Sequence, residues 1–317
     1  MHGSGPQSSI AVVLGHGRSL ETVDRQETMQ LLKTRGVVLF RGFAASSDAF
    51  VTFTDRFCHR FLRHSEPALR PTRLADGTLV GVLTGNGSVS LHAEMNYRPI
   101  RPDVLWFHCT QPASGGGQTI VADSRRVLAT LAAETRRRFE NQRVRYRYVL
   151  EPASWQRVVP VKRRRAAIAI LNLRPNLTAR AAGGDNIELE FVADAIRPTG
   201  ANGALGFLNS VENGLEYQLD VAFADGQPID AATLQEIGRA GQLCAEPIEW
   251  ERQDIAMINN SLIMHGRRSF EGDQQRLIDV RFGMLRPDAG YAKWLVRGRE
   301  LLASIRGRAL GAQARAS

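Results

Sequence analysis

Long apolar runs, paired cysteines and an apolar signal core are all missing from this chain of 317 residues. The run AAIAIL at 166–171 is far shorter than the ~20 apolar residues of a membrane helix. The opening residues, MHGSGPQSS, are polar and resemble a cloning remnant more than a signal peptide. We therefore expect a cytoplasmic protein with no membrane partner.

Cysteine is scarce. Cys58, Cys109 and Cys244 are odd in number, lie far apart and form no C-x-x-C spacing. That pattern argues against a disulfide framework and against a zinc ribbon. We expect all three to be buried as small hydrophobic side chains.

Basic residues outnumber acidic ones, which gives a net charge of +9 and a pI near 10.1. The excess is mostly arginine, concentrated in RRR at 136–138 and KRRR at 162–165. No helix-turn-helix, RNP or zinc-finger pattern accompanies either cluster, so nucleic acid is a weak candidate partner. A solvated basic surface is favoured, and an acidic protein partner is the next alternative.

The apolar spacing predicts helices early in the chain, many short strands after them and one helix late. Helices are expected to end at Gly36 and to cover 46–62, 124–141 and 230–244. Strands are expected at 37–43, 103–109, 117–123, 203–209, 255–266 and 276–285. This order fits a β-rich α+β barrel with flanking helices and fits a βαβ array poorly.

We expect one domain across 1–317, since barrels of this size often form a single unit. Residues 151–203 are the least regular in pattern, and we interpret them as an insertion or lid over the core. Residues 1–20 and 305–317 are expected to be flexible termini.

The stretch SLHAEMNYRP at 90–99 places His92 two residues before Glu94. Side chains at i and i+2 of a strand point the same way, so both could bind one metal ion. A non-haem Fe(II) site needs two imidazoles and one carboxylate, and His265, at the end of an apolar strand, could supply the second imidazole. Taken alone, H-x-E is more often a polar strand end than a metal site, and a lone His265 more often a buried core histidine.

A 2-oxoglutarate cosubstrate would also need a buried cation for its distal carboxylate. Arginine suits this role because it stays charged and binds carboxylates through two hydrogen bonds. Arg276 begins an apolar strand eleven residues after His265, and Thr119 in GGGQT could add a hydroxyl donor.

H-x-E, GGGQT and HGR followed by that arginine together resemble the taurine dioxygenase/clavaminate synthase superfamily of Fe(II)/2-oxoglutarate oxygenases. The likeness spans roughly residues 35–285. LHAEMNYRPIRPDVLWFHC and GGGQTIVADSRRVL are similar to a branch of amino-acid hydroxylases from nonribosomal-peptide biosynthesis, which includes the aspartate hydroxylase of syringomycin biosynthesis. The resemblance implies Fe(II) as cofactor and 2-oxoglutarate and O2 as cosubstrates.

By position, the resemblance implies His92, Glu94 and His265 as iron ligands and Thr119 and Arg276 as 2-oxoglutarate contacts. It implies a double-stranded β-helix, a distorted, cupin-like jelly roll with flanking helices and the inserted lid. Hydroxylation of an unactivated C–H bond is the reaction implied.

Two positions depart from the superfamily pattern. Glu94 stands where most members have aspartate, and its longer side chain still permits ligation by one oxygen.

Val280 stands where taurine dioxygenase has a substrate-binding arginine, and Arg281 should face away from Arg276 by strand alternation. Taurine is therefore a poor candidate substrate. Halogenases of the superfamily lack the carboxylate, so Glu94 favours hydroxylation over chlorination, while desaturation or cyclisation remains open.

The expected substrate is an amino acid or an amino-acid derivative, free or attached to an acidic carrier protein that could dock on KRRR. Candidate substrate contacts are Asn86, Asn96, Tyr97, Arg98 and Arg267. Two other interpretations stay open at this stage. The chain could be a relative that binds a ligand without turnover, or a basic binding protein whose histidines carry no metal.

Overall fold

The computed structural model describes residues 7–63, 70–82, 85–199, 203–271 and 276–287. Within these ranges a 3₁₀ turn covers Leu20–Thr22, and the helices are α1 Arg25–Arg35, α2 Ser47–Asp55, α3 Ser124–Thr130, α4 Ala133–Asn141, α5 Pro152–Val158, α6 Arg164–Leu171, α7 Val211–Glu216 and α8 Ala231–Cys244. The strands are β1 Ile10–Leu14, β2 Val37–Arg41, β3 Cys58–Leu62, β4 Val80–Gly81, β5 Val89–His92, β6 Val104–Gln111, β7 Thr119–Asp123, β8 Val144–Leu150, β9 Leu177–Ala181, β10 Ile187–Ala193, β11 Ile196–Thr199, β12 Ala204–Phe207, β13 Asp220–Phe223, β14 Glu246–Ile248, β15 Ile255–Asn259, β16 Ile263–Arg267 and β17 Leu277–Leu285.

Two sheets enclose the central core. The larger sheet has the order β1-β2-β15-β6-β17-β3, with β4 also paired to β17, and the smaller has the order β14-β7-β16-β5. One hydrophobic cluster contains side chains of both sheets, among them Leu105 and Phe107 of β6, Val121 of β7 and Ile263 of β16. Two packed, mainly antiparallel sheets with helices outside them are consistent with the predicted jelly roll.

Alternation along β6 decides which side chains face the smaller sheet. Leu105 and Phe107 belong to the cluster between the sheets, whereas Val104 and Trp106 belong to the cluster under the early helices. Trp106 is fully buried there against Phe53 of α2. Because successive strand residues point to opposite faces, the same rule determines which polar residues can enter the space between the sheets.

The segment predicted to be irregular, 151–203, is ordered throughout its described part. It contributes α5, α6 and β9 to β11, and a third sheet has the order β13-β8-β10-β9. Strand β10 alternates buried and half-buried residues, and Trp155 of α5 donates a hydrogen bond to the Asp185 carbonyl, 2.9 Å away. The prediction of irregular structure is wrong, because this alternation was overlooked. Movement of the segment as a lid stays a prediction.

The helix predicted across 46–62 is too long. Helix α2 ends at Asp55, and Cys58–Leu62 pairs as a strand with the last strand, β17. Tertiary pairing overrides the apolar helical spacing of this segment. In the predicted flexible N-terminus, Ile10–Leu14 forms β1, which pairs in parallel with β2, while the predicted flexible segment 305–317 lies outside the described residues.

The helix predicted across 124–141 is two helices. Leu131 and Ala132 have extended backbones between α3 and α4. Glu236 of α8 stabilises this break, since its carboxylate accepts hydrogen bonds from the Ala132 N–H at 2.6 Å and from the Thr135 hydroxyl at 2.5 Å. Sequence periodicity could not reveal this partner, which comes from about a hundred residues away.

The three cysteines are free and buried, as predicted. Across the described ranges, no helix combines the length and the apolar character needed to cross a membrane.

Candidate metal centre

His92, Glu94 and His265 come together between the two sheets. His92 ends β5, and His265 lies directly opposite it on β16. Glu94 was expected to continue the strand but lies in the turn that follows. Ala93 between them packs into a separate hydrophobic cluster, whereas His92 and Glu94 line the same cavity and so still share one side.

The three side chains form a compact group of metal-binding type. Glu94 Oε2 lies 3.8 Å from His92 Nε2 and 3.6 Å from His265 Nε2. The imidazole centroids are 4.2 Å apart, and one ligand atom from each residue falls within 4.8 Å of the others. All three residues are buried. This is the only such group in the part of the chain that the structure describes.

The protonation of the group suits a divalent metal. His92 Nδ1 lies 2.8 Å from the Ser90 carbonyl. Because a carbonyl only accepts, Nδ1 donates a proton to it, and Nε2 is the nitrogen that would face a metal. Burial, together with the nearby His92, lowers the pKa of His265 to about 3, which keeps it neutral. Burial opposes ionisation of Glu94, but the hydrogen bond and charge of His92 hold its pKa well below the usual value. A bound metal would take the place of a proton on His92 Nε2, and two imidazole nitrogens with one carboxylate fit Fe(II).

Thr119 and Arg276 are brought together at the same cavity. Arg276 Nη2 donates to Thr119 Oγ1 at 3.2 Å, and Trp250 Nε1 donates to the same oxygen at 3.1 Å. Since Thr119 Oγ1 accepts both hydrogen bonds, its own proton is left to donate to a ligand.

Arg276 is a buried cation with unused hydrogen-bonding capacity. Its Nε has no partner among the described residues, and no carboxylate there pairs with it. Burial lowers its pKa to about 10, so the guanidinium is still charged at neutral pH. A buried charge of this kind is expensive unless it is paired, and a carboxylate from a ligand would pair it. The site therefore fits the distal carboxylate of 2-oxoglutarate.

The glycines of GGGQT make room for Arg276. Gly117 has a φ of +65°, and a Cβ on it would lie 3.0 Å from Arg276 Cδ. Gly116 has a φ of +72°, and its Cβ would meet the Ser269 carbonyl. Both positions need glycine, for backbone conformation and for space.

Of the five predicted substrate contacts, Arg267 alone is among the described residues that line the metal cavity. Asn86 is exposed, and Asn96 is fully buried, with Oδ1 accepting hydrogen bonds from two arginines. Tyr97 packs against other tyrosine rings, while Arg98 stacks on Tyr97 and lines a separate cavity of about 720 Å³. The structure does not bring these four to the metal cavity.

The last strand is oriented as the sequence predicts. Val280 lines the metal cavity, whereas Arg281 points to the opposite face. Arg281 Nη1 donates to Asp55 Oδ1 at 2.8 Å, and its Cζ lies 3.5 Å from the Phe61 ring centroid. No taurine-type arginine faces the cavity from position 280.

Three further residues at the site were missed in the sequence. Trp250 supports Thr119, Asn260 bonds to the backbone of Glu94, and Arg70 lines the metal cavity. Asn260 lies in the quoted segment before His265 and could have been suspected. Nothing in the pattern around Arg70 or Trp250 marks them, because their roles depend on chain pairing over long distances.

Comparison with known proteins agrees with this geometry. The family model described as taurine catabolism dioxygenase TauD, TfdA family matches residues 5–281. The dapdiamide synthesis protein DdaC of Enterobacter agglomerans is 22% identical over 283 residues, covering 81% of this chain and 84% of that protein. A clavaminate synthase-like protein of Arabidopsis thaliana is 27% identical over 283 residues, covering 79% and 82%.

Solved structures share the fold at low sequence identity. PvcB of Pseudomonas aeruginosa, described as an Fe, alpha-ketoglutarate dependent oxygenase from an isonitrile synthetic pathway, is 14% identical with a TM-score of 0.55. That match covers 87% of this chain and 85% of PvcB. Because the family model spans most of the sequence, the chain belongs to the TauD/TfdA dioxygenase family, with Fe(II) as its metal and 2-oxoglutarate as its cosubstrate.

Proposed function

We propose that this protein hydroxylates an unactivated C–H bond of an amino acid or amino-acid derivative in natural-product biosynthesis. The observation that carries the proposal is the buried group of His92, Glu94 and His265 beside the buried guanidinium of Arg276, which pairs with no carboxylate among the described residues. A metal centre and an anion site in one cavity are the two parts that an Fe(II)/2-oxoglutarate oxygenase requires.

Each residue has a separate role in this proposal. His92, Glu94 and His265 hold Fe(II) through two nitrogens and one oxygen, and Arg276 and Thr119 orient the distal carboxylate of 2-oxoglutarate. Bound Fe(II), with 2-oxoglutarate and O2, supplies the oxidising power to attack a C–H bond. The protein contributes position, because a reacting carbon held close to the metal reacts far faster than a free one.

The cavity wall also favours a dry reaction site. Val82, Phe107, Val280 and Phe282 line the cavity together with the polar residues. Apolar walls exclude water, which strengthens the electrostatic contacts inside and limits side reactions. Glu94 occupies the position that halogenases leave for chloride, so we favour hydroxylation. Desaturation or cyclisation would use the same residues and stays an alternative outcome.

The names of relatives support the biosynthetic role, and the sequence likeness to amino-acid hydroxylases supports the amino-acid substrate. DdaC is named for dapdiamide synthesis, and PvcB is described as part of an isonitrile synthetic pathway. These names describe those proteins, and we extend them to this chain as a proposal, with the substrate free or attached to a carrier protein.

A carrier-bound substrate would use the basic cluster at 162–165 for docking. Lys162, Arg163 and Arg165 are exposed, whereas Arg164 donates to the carbonyls of Ala182 and Gly184 and is part of the fold. Charge reversal of the three exposed residues, with Arg164 retained, should slow turnover of a carrier-bound amino acid and spare a free one. If the charge-reversed variant turned over the carrier-bound amino acid as fast as wild type does, carrier docking at this cluster would be contradicted.

The proposed function is tested first without oxygen. Purified protein receives Fe(II) and then 2-oxoglutarate, and the visible metal-to-ligand charge-transfer band is recorded. Wild type should show the band, His92→Ala should lose it, and Arg276→Ala should need far more 2-oxoglutarate. His59→Ala, which removes a histidine exposed on β3, serves as the matched control.

The absence of a band in folded wild-type protein would overturn the oxygenase proposal. Tight nucleic-acid binding without bound iron would then favour the alternative of a basic, non-catalytic binding protein. A normal band without oxidation of any amino acid or carrier-bound amino acid would contradict the substrate class.

A further inference from the structure

The metal cavity contains more positive charge than 2-oxoglutarate needs. Among the described residues, Arg70, Arg267 and Arg276 line it, and Glu94 is the only carboxylate that does so. Bound Fe(II) would add two more positive charges. The two carboxylates of 2-oxoglutarate would leave this excess partly uncompensated. Buried charge is unfavourable unless it is paired, so a further anion is expected in the cavity.

Neighbouring arginines that face away from the cavity have acidic partners. Arg73 Nε donates to Asp279 Oδ1 at 3.1 Å, and Arg281 pairs with Asp55 at 2.8 Å. Arg70 differs from both. Its Nε is buried without a hydrogen-bond partner in the described part of the chain, and its Cζ lies 5.7 Å from the Phe282 ring centroid. Among the described residues, Arg70 therefore contacts an aromatic ring and forms no ion pair with a carboxylate.

Arg70 and Arg276 lie at different parts of the cavity. Arg276 immediately precedes β17 and contacts Thr119 of β7. Phe282, which Arg70 contacts, lies within β17 and six residues after Arg276. At ~3.3 Å per strand residue, the backbones of Phe282 and Arg276 are roughly 20 Å apart, so the two arginines contact the cavity wall at different points. A 2-oxoglutarate molecule held by Fe(II) and Arg276 would therefore leave Arg70 for another ligand.

Arg70 also lies close enough to the metal group to place a substrate there. It lines the same cavity as His92, Glu94 and His265. Arg267, whose Nε and Nη2 donate to the Gly87 carbonyl, lines the same cavity and is fixed by those bonds. A group bound at Arg70 would thus be near the metal and outside the 2-oxoglutarate pocket.

We propose that Arg70 is the substrate-binding arginine of this enzyme and that the substrate carries an anionic group, such as a carboxylate, which binds to it. The inference rests on the proposed oxygenase function and names the substrate class for the same cavity. In this proposal Arg70, which comes from a different segment, takes the role that an arginine at position 280 would have in taurine-type relatives.

The first test is crystallographic. Crystals of the protein with Mn(II) and the 2-oxoglutarate analogue N-oxalylglycine are soaked in bromide, and anomalous scattering locates the anions. A bromide site on the Arg70 guanidinium is expected in wild type and in Arg60→Gln, which removes an arginine exposed on β3, and not in Arg70→Gln. No bromide at Arg70, or a carboxylate of N-oxalylglycine bound to Arg70, would overturn the proposal.

The second test separates substrate from cosubstrate binding in solution. By anaerobic titration of the charge-transfer band, Arg70→Gln should keep its 2-oxoglutarate Kd within twofold, while Arg276→Gln should raise it at least tenfold. Equal weakening by both substitutions would make Arg70 a cosubstrate residue and overturn the proposal. A missing band in wild type contradicts the oxygenase function instead, and the bromide result still decides whether Arg70 binds anions.

The third test addresses substrate class. 2-Oxoglutarate consumption is measured with L-aspartate against L-asparagine amide, which has no carboxylate, and with other amino acids against their α-amides. Acids should stimulate wild type and Arg60→Gln more than the matched amides, and Arg70→Gln should lose this preference. A compound that stimulates equally well as acid and as amide would contradict an anionic substrate.

Discussion

The side-chain amide of Asn260 holds the backbone of Glu94 through two hydrogen bonds. Asn260 Oδ1 accepts from the Glu94 N–H at 2.8 Å, and Asn260 Nδ2 donates to the Glu94 carbonyl at 3.1 Å and to the Pro102 carbonyl at 2.9 Å. Asn260 lies between β15 and β16, five residues before His265. One segment therefore supplies a proposed iron ligand and fixes the turn that carries another.

Asn260→Ala should weaken both folding and iron binding. It leaves three buried backbone groups without partners, and one such group costs about 1–3 kcal/mol, so we expect a loss of about 3 kcal/mol in the free energy of unfolding. Loss of support for a metal ligand typically lowers affinity about 10–100-fold. Chelator competition for Fe(II) and urea unfolding measure the two effects. Asn259→Ala is the neighbouring control, and unchanged iron affinity in Asn260→Ala would contradict a positioning role.

The hydroxyl of Thr119 should contribute directly to 2-oxoglutarate affinity. Its oxygen already accepts from Arg276 and Trp250, so its proton is available to the cosubstrate carboxylate. Hydrogen bonds to charged groups contribute about 1.5–3 kcal/mol, and Thr119→Val should therefore raise the 2-oxoglutarate Kd by about 10–100-fold. Titration of the charge-transfer band measures this.

Thr119→Ser keeps the hydroxyl and should stay close to wild type, which separates the hydroxyl from the methyl group. Trp250→Phe removes one donor to Thr119 and should have a smaller effect than Thr119→Val. A Kd for Thr119→Val equal to that of wild type would show that the hydroxyl makes no bond to the cosubstrate.

The sequence predicts the centre of the site better than its surroundings. His92 and Glu94 are close in the chain, and His265, Thr119 and Arg276 stand in short motifs, so local pattern and family likeness identify all five. The structure brings them to one cavity. By contrast, Arg70 enters that cavity from a loop, and only the folded chain reveals that it contacts Phe282.

The helices and strands show the same contrast between features that local sequence predicts and features that depend on remote residues. Gly36 ends α1 with a φ of +94°, at the residue that the sequence predicts, because a left-handed cap favours glycine. The end of α2 was missed because Cys58–Leu62 has helical spacing yet pairs with β17. The break before α4 was missed because Glu236, which stabilises it, is remote in sequence. Local signals predict local structure, whereas long-range pairing decides the rest.

Gly266 should be essential for the pairing of the two strands that carry His92 and His265. A Cβ at this position would lie 2.5 Å from the Val89 carbonyl oxygen, at the point where the register of β5 and β16 shifts. Overpacking of this kind costs typically about 1–3 kcal/mol and displaces backbone. Gly266→Ala should therefore lower the thermal midpoint and weaken Fe(II) binding.

Calorimetry and chelator competition measure both effects of Gly266→Ala. Gly115→Ala is the matched control, because a Cβ there would meet no atom within 4 Å. If Gly266→Ala bound Fe(II) as wild type does, the close approach of the strands would not be needed for the metal group.

Glu212 of α7 should make the protein less stable as the pH rises toward neutrality. Burial, and then the charge of Glu216, raise the pKa of Glu212 from 4.5 to about 7. Between these values the folded protein holds a proton that the unfolded chain releases, so stability is highest below pH 4.5 and falls as pH rises through 7. Allowing for screening by solvent at this partly exposed residue, the loss of stability is about 1–2 kcal/mol.

Urea unfolding at several pH values from 5 to 8 measures this loss. Wild type and Glu140→Gln, an exposed control on α4, should both show it, and Glu212→Gln should lose less stability over the same pH range. An unchanged pH slope in Glu212→Gln would mean that other groups cause it.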